Sequence, residues 1–279
     1  MANIVAKADE YKETDKGILE FKGKLQLYLG NRDDKGRATV AHIQLQDKDE
    51  PKKKRDKKLK YNPVGWHNYK FYYGNGQKKA WLMNRGHLIG YQFSGLNNEA
   101  KNLVPMTAWL NAGNYKGTDD NNQDSMLYYE KRLDSWLSTH PNYWLDYKVT
   151  PVYEGDELVP RRIELQYIGL DKNGNLLTIN LGGKEKHDDN QIGHVTLDNI
   201  SPNAKIDYLK GTATNTVKSA SQQKAEAKKA EEAKKAEEAR QAEAAANTGY
   251  FRDAKGRWHR PNGQYASKAE IAAAGLPWK

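Results

Sequence analysis

The sequence predicts an α+β protein with an antiparallel sheet, followed by a long solvated helix and a small β-rich C-terminal module. Segments of alternating apolar and polar residues, separated by Asn, Asp and Gly turns, are typical of antiparallel strands. Between them lie two segments whose apolar residues recur about every 3.6 residues, as in a helix. After residue 203 the composition shifts, and residues 219–247 repeat a Lys-Lys-Ala-Glu-Glu-Ala unit.

The composition excludes several classes of protein. A chain of 279 residues is long enough for one large domain and an accessory piece, and no stretch approaches the ~18 apolar residues of a membrane span. The absence of cysteine excludes disulfides, thiolate catalysis and zinc sites built on sulfur. Any metal must therefore bind to oxygen or imidazole. The first ten residues lack the features of a secretory signal, so a mature form, a trimmed chain and an intracellular protein all remain open.

The charge of the chain indicates an anionic partner. The formal net charge is +9, which favours nucleic acid, although a general solubility charge is the alternative. Residues 52–58 are almost all basic and are expected to form an exposed loop, because like charges repel in a packed element. This loop is either simply solvated, a localisation patch, or a contact for phosphate.

The first half of the chain contains two predicted hairpins. Residues 18–30 and 38–46 alternate in polarity on either side of the turn at residues 31–36. Phe71, Tyr72 and Tyr73 precede a Gly-Asn-Gly turn, so the segment that runs into Asn84 is predicted to be the second strand of another hairpin. His87 is then expected just beyond the end of this strand.

The stretch 81–90 contains the first candidate catalytic residues, Arg85 and His87. A lone His beside Leu88 and Ile89 is often a buried structural histidine. Gly86, however, allows a tight turn that could redirect the next side chain. An imidazole with an ordinary pKa near 6.5 can act as a general base at neutral pH.

Residues 98–114 have a period close to that of a helix, with a break or kink at Pro105. Asn111 lies at the end of the apolar face. A buried Asn at such a position is commonly a cap or a loop anchor, but its side-chain oxygen is also a ligand suited to Mg²⁺.

The helix predicted over residues 124–138 carries a carboxylate on its apolar face. Glu130 falls four residues after Met126 and three before Leu133, inside the stripe that faces the core. A buried carboxylate is costly unless it is hydrogen-bonded or close to a cation. Glu130 is therefore expected to form either an internal salt bridge or part of a metal site.

The chain returns to strands from residue 144. Residues 145–155, 161–171 and 176–181 alternate well enough for an antiparallel meander, with a turn at residues 171–174. His187, Asp188 and Asp189 have a spacing unlike a metal site, and a surface loop is the preferred interpretation.

Together, Asn84-Arg85-Gly86-His87, Asn111 and Glu130 resemble the motifs of the DNA/RNA non-specific endonucleases, which have a ββα-metal finger active site. The similarity covers residues 18–203 and is greatest to the DNA-entry nucleases and secreted DNases of Gram-positive bacteria. It includes the segments NEAKNLVPMTAWLN and YYE at the spacing of the family.

The resemblance implies a role for each matching residue. His87 corresponds to the general base that deprotonates the attacking water, Asn111 to the protein ligand of a single Mg²⁺, and Glu130 to the carboxylate that orients waters on this ion. Arg85 matches the arginine of the motif and is suited to stabilising phosphate charge. Mn²⁺ is expected to substitute for Mg²⁺.

Two positions depart from the family pattern. Asn84 stands where the motif commonly begins with Asp, which predicts weaker metal affinity or a changed pH optimum. Asn122 lies eight residues before Glu130, where more distant relatives place the metal-binding Asn, but the longer match around Asn111 favours Asn111.

The expected function is a monomeric, Mg²⁺-dependent non-specific endonuclease that acts on DNA, with RNA as a second substrate. The alternative is a non-catalytic nucleic-acid-binding protein that retains the nuclease fold. The resemblance implies a secreted or cell-surface protein.

The predicted domain organisation has three parts. Residues 1–214 form the nuclease domain and residues 215–247 a charged helical spacer with many Glu-Lys pairs three and four residues apart. Residues 248–279 form an accessory module whose alternating aromatic and basic residues suit nucleic-acid binding, a cell-wall anchor, or a small fold with Trp258 as its core.

Overall fold

The computed structural model describes residues 5–6, 10–56 and 58–278. The chain forms two compact units, Met1–Val217 and Lys218–Lys279. The strands of the first unit are β1 (Gln26–Leu29), β2 (Ala41–Leu45), β3 (Lys70–Tyr73), β4 (Lys78–Trp81), β5 (Met83–His87), β6 (Leu103–Thr107), β7 (Trp144–Val152), β8 (Arg162–Leu170), β9 (Leu176–Leu177), β10 (Lys186–His187), β11 (Gly193–Asp198), β12 (Ala204–Asp207) and β13 (Thr212–Asn215). Its helices are α1 (Tyr91–Ser94), α2 (Ala108–Ala112) and α3 (Met126–Thr139), with 3-10 turns at Asp47–Asp49 and Ala100–Asn102.

The main sheet is antiparallel and has the strand order β1-β2-β7-β8-β11-β10, with β9 paired to β8. In β11 the buried residues alternate with exposed ones, because successive side chains point to opposite faces. The buried face forms the main hydrophobic core together with α3 and with apolar residues of α1, β6 and α2. The α+β fold class, the first hairpin and the β7–β8–β9 meander are confirmed, although only the first two residues of 176–181 form a strand.

A buried charged network lies within this sheet. His42 is flanked by Asp146, at 2.6 Å from Nε2, and by Glu13, at 3.1 Å from Nδ1. Burial opposes protonation of His42, but the two carboxylates raise its pKa above the ordinary value. Asp146 also accepts a hydrogen bond from the backbone N–H of Leu19. The network therefore attaches the N-terminal segment to β7.

The second predicted hairpin is formed by β3 and β4, whose turn contains Gly74 and Gly76 at positive φ. The strand predicted to run on to Asn84 is interrupted at Leu82, and β5 then pairs with β6 instead. His87 is consequently the last residue of a strand rather than the residue beyond one.

The helix predicted over residues 98–114 is only partly correct. Leu103–Thr107 is strand β6, paired with β5, and the helix α2 covers Ala108–Ala112. Every residue of β6 is buried, and a short continuous apolar run does not distinguish a strand from a helix by its period. Pro105 has no backbone N–H to donate. Strand β6 can contain it because only one edge of this strand is paired in the two-stranded β5–β6 ladder.

Helix α3 agrees closely with its prediction. Ser125 caps its N-terminus by accepting from the backbone N–H of Tyr128. Leu133 and Leu137 are fully buried, and Glu130 lies among them with only 8% of its surface exposed. Helix α2 packs against β5, β6 and α3. The packing of these elements brings Asn111 and Glu130 to the strand that carries His87.

The basic run at residues 52–58 is exposed, as predicted, in all of its described positions. Lys57 lies outside the described residues.

The second unit begins with helix α4 (Ala220–Thr248), which is capped by Ser219 and Gln222 and has no buried residue. Salt bridges four residues apart, such as Lys235 with Glu231, follow its surface. Such exposed pairs each contribute only about 0.3–0.5 kcal/mol.

The C-terminal module contains β14 (Phe251–Arg252), β15 (Trp258–His259) and α5 (Lys268–Ala273). Trp258 is buried with Ala266, Ile271 and Leu276, and alanines near the end of α4 pack against this cluster. Within the described part of the chain, no helix is both long and apolar enough to cross a membrane.

Candidate active site

Strand β5 positions His87 through close packing rather than through a turn. Gly86 lies opposite Val104 in the β5–β6 ladder and does not have a positive φ. A Cβ at this position would lie 2.4 Å from the sulfur of Met106, so glycine leaves the space that the Met106 side chain occupies. The tight turn expected at Gly86 is wrong.

The His87 ring is almost buried, with 7% of the residue exposed. Its Nε2 lies 3.0 Å from the backbone carbonyl of Asn97. A carbonyl only accepts, so Nε2 carries the hydrogen and the neutral ring keeps its lone pair on Nδ1. Burial and the charge of Arg55 lower the pKa of His87 to about 4. At neutral pH the ring is therefore unprotonated and able to accept a proton.

Glu130 is held by hydrogen bonds from the first turn of α1. The backbone N–H of Gly90 donates to Oε1 at 2.9 Å, and Nε2 of Gln92 donates to Oε2 at 3.2 Å. A Cβ at position 90 would lie 2.6 Å from Oε2, so a larger residue would displace the carboxylate of Glu130 from its present position. Burial raises the pKa of Glu130 to about 7, although these hydrogen bonds and one from Tyr147 favour the ionised form.

We expect the free energy of unfolding of Glu130→Gln to increase relative to that of the wild type as the pH rises from about 5 to about 8. In the folded protein the carboxyl keeps its proton up to about pH 7, whereas the unfolded chain loses it near 4.5. The folded wild type therefore loses stability as pH rises through this window, by at most roughly 3 kcal/mol. Glutamine does not titrate and is free of this loss.

Urea unfolding of both proteins at the two pH values measures this difference. If the two free energies of unfolding change in parallel with pH, the pKa of Glu130 is not raised.

Arg85 points into an open cleft of about 580 Å³. Its Nε and Nη2 both donate to the side-chain oxygen of Asn62, at 2.9 and 2.6 Å. Its guanidinium also lies 4.6 Å from the ring centre of Trp66. These two residues hold the cation in one orientation, and sequence reasoning did not identify either.

The same cleft is lined by Asn84 and Asn111. The Asn111 side chain is half-buried and forms no hydrogen bond with the described residues. Asn122 differs, because its Nδ2 donates to the carbonyl of Gly113 and its Oδ1 accepts from the N–H of Asp124. The amide of Asn122 is thus used within its own loop, whereas that of Asn111 is available to a ligand.

Arg55 links the cleft to the two buried titratable residues. It lines the cleft with Arg85 and Asn111, and its charge acts on both His87 and Glu130. Partial desolvation lowers the pKa of Arg55, while Glu130 opposes this shift. The basic run at residues 52–58 was the only sequence signal for this residue, and it did not distinguish Arg55 from its neighbours.

Among the described residues, no group of three or more His, Cys, Asp or Glu side chains could hold a metal ion. Of the four predicted site residues, Arg85 and Asn111 line the cleft. His87 and Glu130 are buried and do not line the cleft. Both interact electrostatically with Arg55, which does line it. The arrangement combines a neutral base, a buried carboxylate, two guanidinium groups and an available amide oxygen.

A family model of DNA/RNA non-specific endonucleases matches residues 19–169. The chain belongs to this family. It is therefore an enzyme that hydrolyses nucleic acid, and the enzymatic interpretation is confirmed.

Three solved structures illustrate the relationship. An extracellular nuclease is 50% identical with a TM-score of 0.61, over 73% of this chain and 100% of that chain. An extracellular endonuclease is 52% identical with a TM-score of 0.61, over 72% of this chain and 91% of that chain. NucA from Streptococcus agalactiae, solved with a magnesium ion bound, is 21% identical with a TM-score of 0.50, over 69% and 79% of the two chains, and shows the likeness of fold. The comparison with curated proteins gave no match.

Proposed function

We propose that this nuclease is a Mg²⁺-dependent, non-specific endonuclease that cleaves DNA, and RNA as a second substrate, with a water activated by His87. The observation that carries the proposal is the state of the His87 ring. It is neutral at physiological pH, and the carbonyl of Asn97 holds it in one tautomer. Nδ1 can then take the proton of the attacking water.

Asn111 is the proposed metal-binding residue of the cleft. NucA, a structural neighbour, was solved with a magnesium ion bound, and a neutral amide oxygen suits Mg²⁺, which prefers oxygen ligands and keeps several of its waters. The free amide of Asn111 and the engaged amide of Asn122 support this assignment. When bound, the ion supplies Lewis-acid stabilisation of the charge that develops on the phosphate. Mn²⁺ is expected to serve as a substitute.

Glu130 is proposed to orient water in the site. The hydrogen bonds from Gly90 and Gln92 hold its carboxylate rigidly, as a positioning group requires. Burial of Glu130 destabilises its ionised form, and the nearby cation Arg55 does not lower the pKa to the ordinary range. This supports a functional rather than a stabilising role for Glu130.

Arg85 and Arg55 are proposed to stabilise the charge of the phosphate as the transition state forms. A guanidinium keeps its charge at all relevant pH values and can bind two phosphate oxygens at once. Arg85 is preorganised by Asn62 and Trp66, so little reorganisation accompanies the reaction.

Asn84 is proposed to reduce metal affinity relative to relatives with Asp in the motif. It lines the cleft with Asn111, where a carboxylate would add negative charge beside the ion. Contacts to the phosphate backbone carry little base information, so sequence preference is expected to be slight.

Incubation of supercoiled plasmid with the protein tests the function. Nicked and linear DNA are expected with Mg²⁺ and not with a chelator, and adding Mg²⁺ in excess of the chelator should restore cleavage. A parallel incubation with single-stranded RNA measures the second substrate. Intact plasmid in Mg²⁺ across about pH 6 to 9 would contradict the proposal, because His87 is unprotonated over that whole range.

The extracellular neighbours support secretion of this nuclease. The proposed organisation of a monomeric nuclease domain, a helical spacer and a binding module rests on the exposed, charged surface of α4. A helix of this kind acts as a semi-rigid spacer.

A further inference from the structure

A second groove lies beside the catalytic cleft and shares part of its wall. This lysine groove, defined by Lys70, Lys79, Lys116, Trp81, Tyr115 and Asn84, has a volume of about 410 Å³. Trp81 and Asn84 line both the groove and the cleft. A chain bound across the cleft can therefore continue into the groove.

The groove is positively charged without internal compensation. Three lysines line it, and no carboxylate does. Lys70, Lys79 and Lys116 are exposed, and none of them forms a salt bridge with a residue that the structure describes. Their charges remain available to an anionic ligand such as a phosphate backbone.

The groove also presents an exposed aromatic face. Trp81 is 54% exposed although it lies at the end of a strand. The ammonium of Lys70 lies 5.1 Å from the centre of its ring. Tyr115 is held by stacking against Tyr73, with ring centres 5.0 Å apart. A wall with one large exposed ring and adjacent cations is the arrangement that proteins use to bind single-stranded nucleic acid.

We propose that the lysine groove binds an unpaired segment of the substrate next to the scissile phosphate, with a base stacked on Trp81 and flanking phosphates contacted by the three lysines. This inference rests on the proposed function, since it takes the cleft as the place of cleavage. An unpaired base is favoured because the faces of bases within a duplex are covered by their neighbours. Duplex DNA would meet the lysines but not the indole face.

The first test measures binding of a labelled oligothymidylate and of a blunt DNA hairpin to Trp81→Ala. All proteins carry His87→Ala and are assayed with a chelator, so that binding is separated from cleavage. Loss of one stacked base is expected to weaken oligothymidylate binding about tenfold and hairpin binding by less than about threefold.

Two control variants accompany this test. Trp81→Phe keeps an aromatic ring and should restore most of the oligothymidylate affinity. Tyr143→Ala removes another exposed aromatic residue, away from the groove, and should have no effect. Trp81 is exposed, so its removal is not expected to unfold the protein.

The second test measures the salt dependence of oligothymidylate binding. Replacing Lys70, Lys79 and Lys116 with Gln should reduce the slope of log Kd against log salt by about 2, because each phosphate that is no longer neutralised lowers the slope by ~0.7. Replacing Lys16, Lys22 and Lys24, which are exposed but outside the groove, changes the net charge equally and should leave the slope nearly unchanged.

The outcomes separate the two proposals. Equal weakening of oligothymidylate and hairpin binding by Trp81→Ala would overturn base stacking, and unchanged binding of both would overturn the groove as a binding site. Cleavage by the His87→Ala protein at the wild-type rate in Mg²⁺ would instead contradict the proposed catalytic role of His87, and the binding results would still test whether the groove binds substrate.

Discussion

Replacement of His87 with alanine is expected to slow plasmid cleavage by about 10³-fold, the usual contribution of a general base. The affinity for DNA should change by less than about twofold, because the His87 ring is buried and does not line the cleft. Cleavage rates in Mg²⁺ and binding in the presence of a chelator measure the two quantities.

His194→Ala is the matched control, because His194 is exposed on β11, where it pairs with Asp188, and it does not line the cleft. It should cleave at the wild-type rate. Thermal unfolding of His87→Ala checks that the β5–β6 pair still folds. Wild-type cleavage by a folded His87→Ala protein would show that another group removes the proton.

The second large effect is expected from Asn111→Ala. Removal of the available amide oxygen should reduce cleavage by about 10² to 10³-fold, the scale observed when one group that stabilises developing charge is lost. Raising the Mg²⁺ concentration should recover part of the rate if the defect lies in metal affinity. Rates over a range of Mg²⁺ concentrations distinguish weaker binding from slower chemistry.

Asn122→Ala is the comparison that tests the choice between the two asparagines. Its amide bonds to Gly113 and Asp124 within a loop, so the variant should lose roughly 1 kcal/mol of stability for each bond and keep most of its activity. A large loss of activity in Asn122→Ala together with normal activity in Asn111→Ala would reverse the assignment.

Helix α3 illustrates what can be predicted from local sequence. The side chains of Met126, Glu130 and Leu133 share a face because helix geometry relates residues three and four positions apart. Burial of Glu130 therefore follows from the order of residues alone. The capping residues Ser125, Ser219 and Ser267 are predictable for the same reason, since each bonds to a backbone group three residues away.

Strand β6 and Arg55 illustrate what cannot be predicted in this way. Leu103–Thr107 is apolar at almost every position, and its identity as a strand depends on its pairing with β5. Arg55 is one cation in a basic run. Its approach to His87 and Glu130 depends on the fold, because these residues lie 32 and 75 positions after it in the sequence.

By itself, the sequence determines the α+β class, the hairpins, the inward position of Glu130 and the family motif around His87, because these depend on periodicity, turn chemistry and short spacing. Only the tertiary structure decides the tautomer of His87, the availability of Asn111 rather than Asn122, and the junction of the cleft with the lysine groove. The physical reason is that hydrogen bonding, desolvation and the field of a distant charge depend on distances in space, which local patterns do not contain.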